Sequence, residues 1–453
     1  MITKVGEERK LRFYGREEEI ELLRREDELA VRNARFTVVT GRRRVGKTEL
    51  VNRALAKSDG SYLYLLFVRQ GERSLCASLQ QSIEEQLGPR VSILGKAERL
   101  IDLLKVVFEL AKDRRLTVVL DEFQEMDYVN SAFYGDLQGL WDRVHTSYKL
   151  HLVVSGSVNR MMNKILFDYA EPLYGRCTTH FKISPFPTSV MKQILAEACP
   201  RFRPSDLLDM WTITGGVAKY MKLLIDARAF TRKKMLETVF SLGSPFFDEG
   251  KAALVQEFGP DHANYFSILC SIAMGHTRLS EIEQDAGVQA TSYLANLEKN
   301  YELVRKVRPI FAEARVKNSA YRIEDMFFRF WFRYVYRNQE LIELGRYETL
   351  REKVSGDLDV HNGLALERYF YWKFVGERRY TRMGGWWDRK GENEIDLVCD
   401  DEIAGKLDLY EVKRDRRRID LRVLERKAQS FLTKHPELTG RRMSLGGLSL
   451  DDM

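Results

Sequence analysis

The chain has few cysteines, and no two of them stand close together. Cys76, Cys177, Cys199, Cys270 and Cys399 are odd in number and never spaced C-x-x-C, so neither a zinc site nor a disulfide framework is indicated. They read as reduced, buried small hydrophobes. Also missing is any uninterrupted apolar run near the roughly 20 residues that a membrane helix needs. The opening Met1-Ile-Thr-Lys-Val-Gly-Glu-Glu lacks the apolar segment of a signal peptide. No membrane partner and a cytoplasmic location are therefore expected. There is no disorder signature, since 44% hydrophobic and 31% charged residues suit a packed globular chain. At 453 residues it is too long for a single core, so two to four domains are expected. A large charge imbalance is absent as well: a formal net charge of +7 is too mild to establish a nucleic-acid partner. Its distribution is more telling, because from Glu411 to Ser430 eight Lys or Arg stand against four acids.

What is present is organised around one stretch. Arg35-Phe-Thr-Val-Val-Thr40 reads as a strand, Gly41-Arg42-Arg43-Arg44-Val45-Gly46-Lys47-Thr48 fits G-x-x-x-x-G-K-[ST], and Glu49 to Lys57 reads as a helix. Backbone N–H groups at the start of a helix can wrap a polyanion. Gly41 and Gly46 permit the tight turn and the close phosphate approach. Lys47 is expected to reach the β- and γ-phosphates, and Thr48 to hold Mg2+. A bound nucleoside triphosphate is expected here.

Leu116-Thr-Val-Val-Leu120 is a second apolar strand, with Asp121-Glu122 at its end. Asp121 is expected to hold magnesium through water and Glu122 to act as general base on the attacking water. Leu150-His-Leu-Val-Val-Ser155-Gly156-Ser157 reads as a further core strand. Ser155, Ser157 or Asn159 could orient the water near the γ-phosphate, or simply form a strand-to-loop turn. Arg176 lies in a loop before the short strand Thr179 to Ile183. It is a candidate finger on transition-state charge, in cis or on a neighbour's nucleotide, with a plain surface arginine as the alternative. Asn163-Lys164 is not followed by the aspartate of guanine readers, which favours ATP.

Phe13-Tyr14-Gly15-Arg16-Glu17, the phosphate loop, Leu-Asp-Glu-Phe-Gln at 120–124, Ser-Gly-Ser at 155–157 and Pro-Leu-Tyr-Gly-Arg at 172–176 together resemble the archaeal-type P-loop ATPases related to the AAA+ and STAND groups. The resemblance implies an α/β multidomain protein. Its parts would be a P-loop ATPase core with a parallel sheet in the order 5-1-4-3-2, a helical lid, a winged helix-turn-helix and a C-terminal α/β domain of the PD-(D/E)xK nuclease type, which is restriction-endonuclease-like. The boundaries read as 1–187, 188–258, 259–345 and 346–453. One departure is Gly215-Gly216-Val217-Ala218, where the family usually carries Gly-Gly-x-Pro.

In the second half, Thr214-Gly215-Gly216 breaks a helical region suited to a lid. Three helical segments from Tyr265 to Asn300, then strands at Leu303 to Val307 and Ala320 to Ile323, read as a winged helix. Its candidate recognition helix offers Gln289, Ser292 and Lys299 but also Glu298, so DNA contact and protein packing stay equally open. Phe327 to Tyr336 is aromatic with interleaved arginines. Its spacing places Phe327, Phe330, Trp331 and Tyr334 on one core face.

Near the end, Glu394-Ile-Asp396 and Glu411-Val-Lys413 lie on neighbouring strands, with Glu411 and Lys413 two apart and so on one face. Asp396, Glu411 and Lys413 are candidate catalytic groups. Asp396 and Glu411, with Glu367 from a preceding helix, are candidate ligands for Mg2+ or Mn2+. The expected activity is ATP hydrolysis, coupled to a nucleic-acid-binding, metal-dependent nuclease domain with DNA or another nucleic acid as partner. The alternative is a regulatory or assembly ATPase with an inactive, partner-binding C-terminal domain. A protein partner through the winged helix and a homo-oligomer are also open.

Overall fold

The computed structural model describes residues 13–56, 61–88, 97–157, 159–258, 262–313, 318–389 and 391–453. These residues fold as two compact bodies that meet in the chain between Ser184 and Pro185.

The first body runs α1 (Glu17–Leu29), β1 (Arg35–Thr40), α2 (Lys47–Leu55), β2 (Ser61–Leu66), α3 (Glu72–Leu87), α4 (Leu100–Glu109), β3 (Leu116–Asp121), α5 (Met126–Val129), α6 (Phe133–Val144), β4 (Leu150–Gly156), α7 (Asn159–Phe167) and β5 (Thr179–Lys182). Its strands form one sheet in the order β2-β3-β4-β1-β5, and every pair is parallel. Read from the other edge, this is the expected order 5-1-4-3-2. Every residue of β3 and β4 is buried, as a sheet covered on both faces requires. The two-residue alternation divides the core. Val38, Val118 and Val154 pack into one apolar cluster, and Val39, Val119 and Val153 into another on the opposite face. Because all strands run the same way, the ends of β1, β3 and β4 deliver the phosphate loop, Asp121 and Gly156 to one edge.

The second body opens with α8 (Thr188–Ala198), α9 (Pro204–Thr214), α10 (Ala218–Asp226), α11 (Arg232–Val239) and α12 (Phe246–Phe258). Helix α9 ends at Gly215 and Gly216, both with positive φ, at 61° and 75°. A Cβ on Gly216 would lie 2.3 Å from the carbonyl oxygen of Phe186, whose N–H donates to the Gly216 carbonyl. The expected break is thus enforced by backbone conformation and by space. Next come α13 (His262–Met274), α14 (Leu279–Ala286), α15 (Thr291–Lys299) and the antiparallel hairpin of β6 (Val304–Val307) and β7 (Ala320–Ile323). After α16 (Met326–Phe330) the helix widens into a π turn at Trp331–Val335. Phe327, Phe330, Trp331 and Tyr334 are all buried, so the aromatic run is core.

Helix α17 (Gln339–Glu343) leads to α18 (Tyr347–Glu377), then β8 (Arg382–Trp387), β9 (Glu394–Asp401), β10 (Lys406–Val412), α19 (Leu421–Lys434) and β11 (Arg442–Leu448). These strands form a sheet ordered β11-β10-β9-β8, antiparallel except for the parallel pair of β10 with β11. Leu424, Ala428 and Phe431 of α19 fill its core with Val398, Leu407 and Leu409.

Gly216→Ala should destabilise the second body by about 2–3 kcal/mol, through left-handed strain plus the clash with Phe186. Denaturant titration against wild type would measure it, and a loss below about 0.5 kcal/mol would show that the turn can adapt.

Candidate functional site

At the end of β1 the chain turns at Gly41, with φ at 146°, where a Cβ would fall 2.5 Å from the carbonyl oxygen of Ile183. Gly46, with φ at 98°, is the left-handed N-cap of α2. Val45 anchors the loop by burying its side chain with Leu50, Val51 and Ile183. Lys47 is buried and folds across the loop, its Nζ donating to the carbonyls of Gly41 at 2.9 Å and Arg42 at 3.3 Å. The first turn of α2 therefore meets the loop Gly41 to Thr48 as a cradle of backbone N–H groups. Arg43 and Arg44 lie on the same loop, Arg44 exposed and with positive φ.

Asp121 is the point on which the neighbouring elements converge. Its Oδ2 accepts from Thr48 Oγ1 at 2.8 Å and from the Tyr64 hydroxyl at 2.5 Å. Its Oδ1 accepts from Ser155 Oγ at 2.7 Å and from the Glu122 N–H at 3.0 Å. Thr48 and Asp121, the two expected magnesium groups, are thus brought together across strands. Burial first, and then the carboxylate of Asp121, push the Tyr64 phenol far above its ordinary value. Tyr64 was not singled out from the sequence. The signal was the alternation of β2, whose register sets Tyr64 opposite Val119, two residues from Asp121 on the same face.

Glu122 stands in the left-handed region, with φ at 53°, which swings its side chain away from that of Asp121. Glu122 Oε2 accepts from Ser157 Oγ at 2.7 Å and from Gln124 Nε2 at 2.6 Å. The two carboxylates so placed can serve separate roles, one beside Thr48 and one free to face a water. Ser155 supports Asp121, while Ser157 is the hydroxyl that reaches the proposed base.

Arg176 lies elsewhere. Its guanidinium pairs with Asp142 at 3.1 Å and donates to the Tyr174 carbonyl at 2.9 Å. With Ala34, Trp141, His145, Gly175 and Thr178 it lines a hollow of about 330 Å³. Ala34 precedes β1 and the phosphate loop follows it. The six residues of β1, at about 3.3 Å each, put roughly 20 Å between the two. A role of Arg176 on its own subunit's phosphate loop does not fit this placement.

In the second body, β9 and β10 pair antiparallel and bring Asp396, Glu411 and Lys413 together. Asp396 Oδ2 accepts from the Val412 N–H at 2.7 Å and from Lys413 Nζ at 3.4 Å. Glu411 is held by two lysines, Lys413 at 2.7 Å and Lys427 at 2.9 Å. Burial alone would raise Glu411, but the two lysines outweigh it and hold its carboxyl below the usual range. Burial raises Asp396. Burial, and next the charge of Asp396, raise Glu394 and push Glu367 up to about 8.

Glu367, Asp396 and Glu411 do not form a preassembled metal cage: among the described residues no three carboxylate, imidazole or thiol groups close around a common point. Physically, Lys413 and Lys427 already occupy both oxygens of Glu411. Glu394, two residues before Asp396, shares its face of β9, a signal that the strand alternation carries.

Residues 13–224 match a family model described as an ATPase domain predominantly from Archaea. Residues 331–427 match a second model, described as archaeal and bacterial proteins of unknown function. An uncharacterized protein of Methanocaldococcus jannaschii is 27% identical over 417 residues, 88% of this chain and 87% of its own. The Walker-type ATPase of Pyrococcus abyssi has the same fold over 71% of this chain and 96% of its own, at 20% identity and a TM-score of 0.52. The expected ATPase is borne out for residues 13–224, the domain that holds the phosphate loop. Among the described residues no helix is long and apolar enough to cross a membrane.

Burial first, and then the charge of Asp396, push the Glu367 carboxyl up to about 8 from an ordinary value of 4.5. Its folded form keeps a proton that the unfolded chain gives up, so stability is lost as pH rises between those two values. Glu367→Gln cannot ionise and should gain on wild type across that window. The difference in Tm should be small near about pH 5 and largest above about pH 8; a constant difference would remove the protonated carboxyl.

Proposed function

Proceeding from a P-loop ATPase whose ATPase domain occupies residues 13–224, we propose an ATP-hydrolysing switch coupled to a nucleic-acid-binding, metal-dependent nuclease site in the C-terminal sheet. The observation that carries the first part is the contact of Thr48 with Asp121, with Glu122 oriented beside them. In this reading the N–H groups from Gly41 to Thr48 wrap the phosphates, and Lys47 exchanges its carbonyl partners for the β- and γ-phosphates. Thr48 and Asp121 fit Mg2+ as an oxygen pair, and Glu122 removes a proton from the attacking water. Arg176, at the far edge of the sheet, would serve the nucleotide of a neighbouring copy in a homo-oligomer.

The second part rests on Asp396, Glu411 and Lys413 sharing one strand pair, with Glu367 and Glu394 beside them. Magnesium or manganese would take the carboxylates, and Lys413 would neutralise the scissile phosphate. The segments 188–258, 259–345 and 346–453 would act as lid, winged helix and nuclease-like domain. The runner-up is a regulatory ATPase whose C-terminal site only holds a protein partner. What favours it is the pairing of Glu411 with two lysines, an arrangement that satisfies the carboxylate without any metal.

Purified protein assayed with magnesium or manganese and labelled DNA and RNA, with and without ATP, tests both parts. Glu122→Gln should keep ATP binding and lower hydrolysis by about a hundredfold or more; unchanged turnover would move the base to another residue. Asp396→Ala should abolish cleavage, and wild type that binds strands but cuts none would favour the partner-holding alternative.

A further inference from the structure

The hairpin of β6 and β7 carries an unfavourable pair. Arg305 and Arg322 stand directly opposite each other in its register, so both side chains leave the same face with their Cβ atoms about 5 Å apart. Like charges so placed repel. Among the described residues no carboxylate pairs with either within ion-pair distance. A third guanidinium is near but already paired: Arg368 meets the Glu324 carboxylate at 3.1 Å, while burial and the charges of Arg322 and Arg305 act to lower it. Such a cluster is relieved by an anion with several oxygens.

The hairpin is also fastened to the C-terminal sheet. The Ile310 N–H donates to the Gly385 carbonyl at 2.9 Å, and Trp387 Nε1 to Asn318 Oδ1 at 3.1 Å. Arg368 Nη1 and Nη2 donate to the carbonyls of Ile323 and Glu324 at 2.6 and 2.8 Å. The Arg322 guanidinium lies 5.9 Å from the Trp387 ring, and its charge reaches both Glu367 and Glu394. The arginine face of the hairpin therefore borders the Asp396, Glu411 and Lys413 cluster. Helix α15 makes a weaker candidate, because Glu298 is turned to the Lys306 N–H at 2.9 Å and Lys299 is its lone cation.

We propose that Arg305 and Arg322 form the phosphate-binding wall of the C-terminal site, and that the ligand is the phosphodiester backbone of a nucleic-acid strand lying between the hairpin and the C-terminal sheet. The inference rests on the reading of that site as one that handles nucleic acid. It gives the contact to the hairpin instead of the candidate recognition helix, and it makes hairpin and sheet one composite site. A phosphodiester suits this border better than an acidic protein would. The carboxylates beside the arginines repel an acidic side chain, but with a divalent ion they can face a phosphate oxygen.

The test uses the full chain and fluorescence anisotropy with labelled duplex DNA, single-stranded DNA and duplex RNA, with calcium in place of magnesium and over a range of salt. Arg305→Ala with Arg322→Ala should weaken binding at least about tenfold and flatten the slope of log affinity against log salt by about two. Arg305→Glu, at an exposed position, should weaken binding more than Arg305→Ala. Circular dichroism and the thermal transition should be unchanged in all three, which reports an intact fold. Lys299→Ala should lose no more than about threefold. The probe bound tightest identifies the strand as DNA or RNA. Wild-type binding with an unchanged affinity and salt slope in the double variant would overturn the hairpin assignment alone, as would a larger loss in Lys299→Ala. Wild type that binds none of the probes would overturn the nucleic-acid reading of the site, and the hairpin assignment with it.

Discussion

Everything at the nucleotide edge depends on one buried carboxylate. Asp121 takes four donors, from the first turn of α2, from β2, from the end of β4 and from the residue that follows it. Each donor belongs to a different piece of chain, so the carboxylate sets the distance between the phosphate loop and the strands beside it. Hydrogen bonds to a charged acceptor contribute about 1.5–3 kcal/mol each. A buried carboxylate stripped of them would cost several kcal/mol. The arrangement keeps Thr48 and Asp121 within a hydrogen bond of each other. Two oxygens can be so held at a buried charge only where neighbours such as Tyr64 and Ser155 share it.

The C-terminal cluster solves the same problem differently. Glu411 is balanced by Lys413 and Lys427, whereas Glu367 is balanced by its own proton. Bringing a divalent ion there would require the lysines to yield and Glu367 to deprotonate, so uptake would release protons and depend on pH. The nucleotide edge needs no such exchange at Asp121, where hydroxyl and amide donors do the balancing and no cation stands in.

How much of this was legible in the sequence varied with the range of the interaction. Strands β1, β3 and β4 were plain because both faces are buried, which leaves continuous apolar runs. The phosphate loop and Asp121-Glu122 were plain because their spacing is local. Helix α6 and strand β11 carry weaker signals. Strand β11 carries Gly446 and Gly447, where Cβ atoms would meet Tyr410 and Ile419. A strand chosen for close approach does not carry the β-branched signature. The reach of Tyr64 and Gln124, the pairing of Lys427 with Glu411 and the distance of Arg176 from the loop are tertiary facts, and no periodicity encodes them. Arg176 shows this best: its place before a short strand was visible, but the end of the sheet it occupies follows only from the register of β5 with β1.

Within the second body, the helices read as a lid are not independent of the C-terminal strands. Arg232 of α11 grips Asp209 of α9 at 2.8 and 3.0 Å and reaches Asp359 of α18 at 2.6 Å. Asn362 of α18 donates to Asp209 at 2.5 Å and accepts from Thr212 at 2.8 Å. Asp359 also pairs with Arg414, the residue after Lys413. Asp209, Thr212 and Asn362 are buried, so sliding α9 or α11 along α18 would strand a carboxylate away from both its cation and water. Removing one partner from a buried pair costs about 3–5 kcal/mol, more than the 1–3 kcal/mol typical of coupling between sites. Helices α9, α11 and α18 therefore move as one piece.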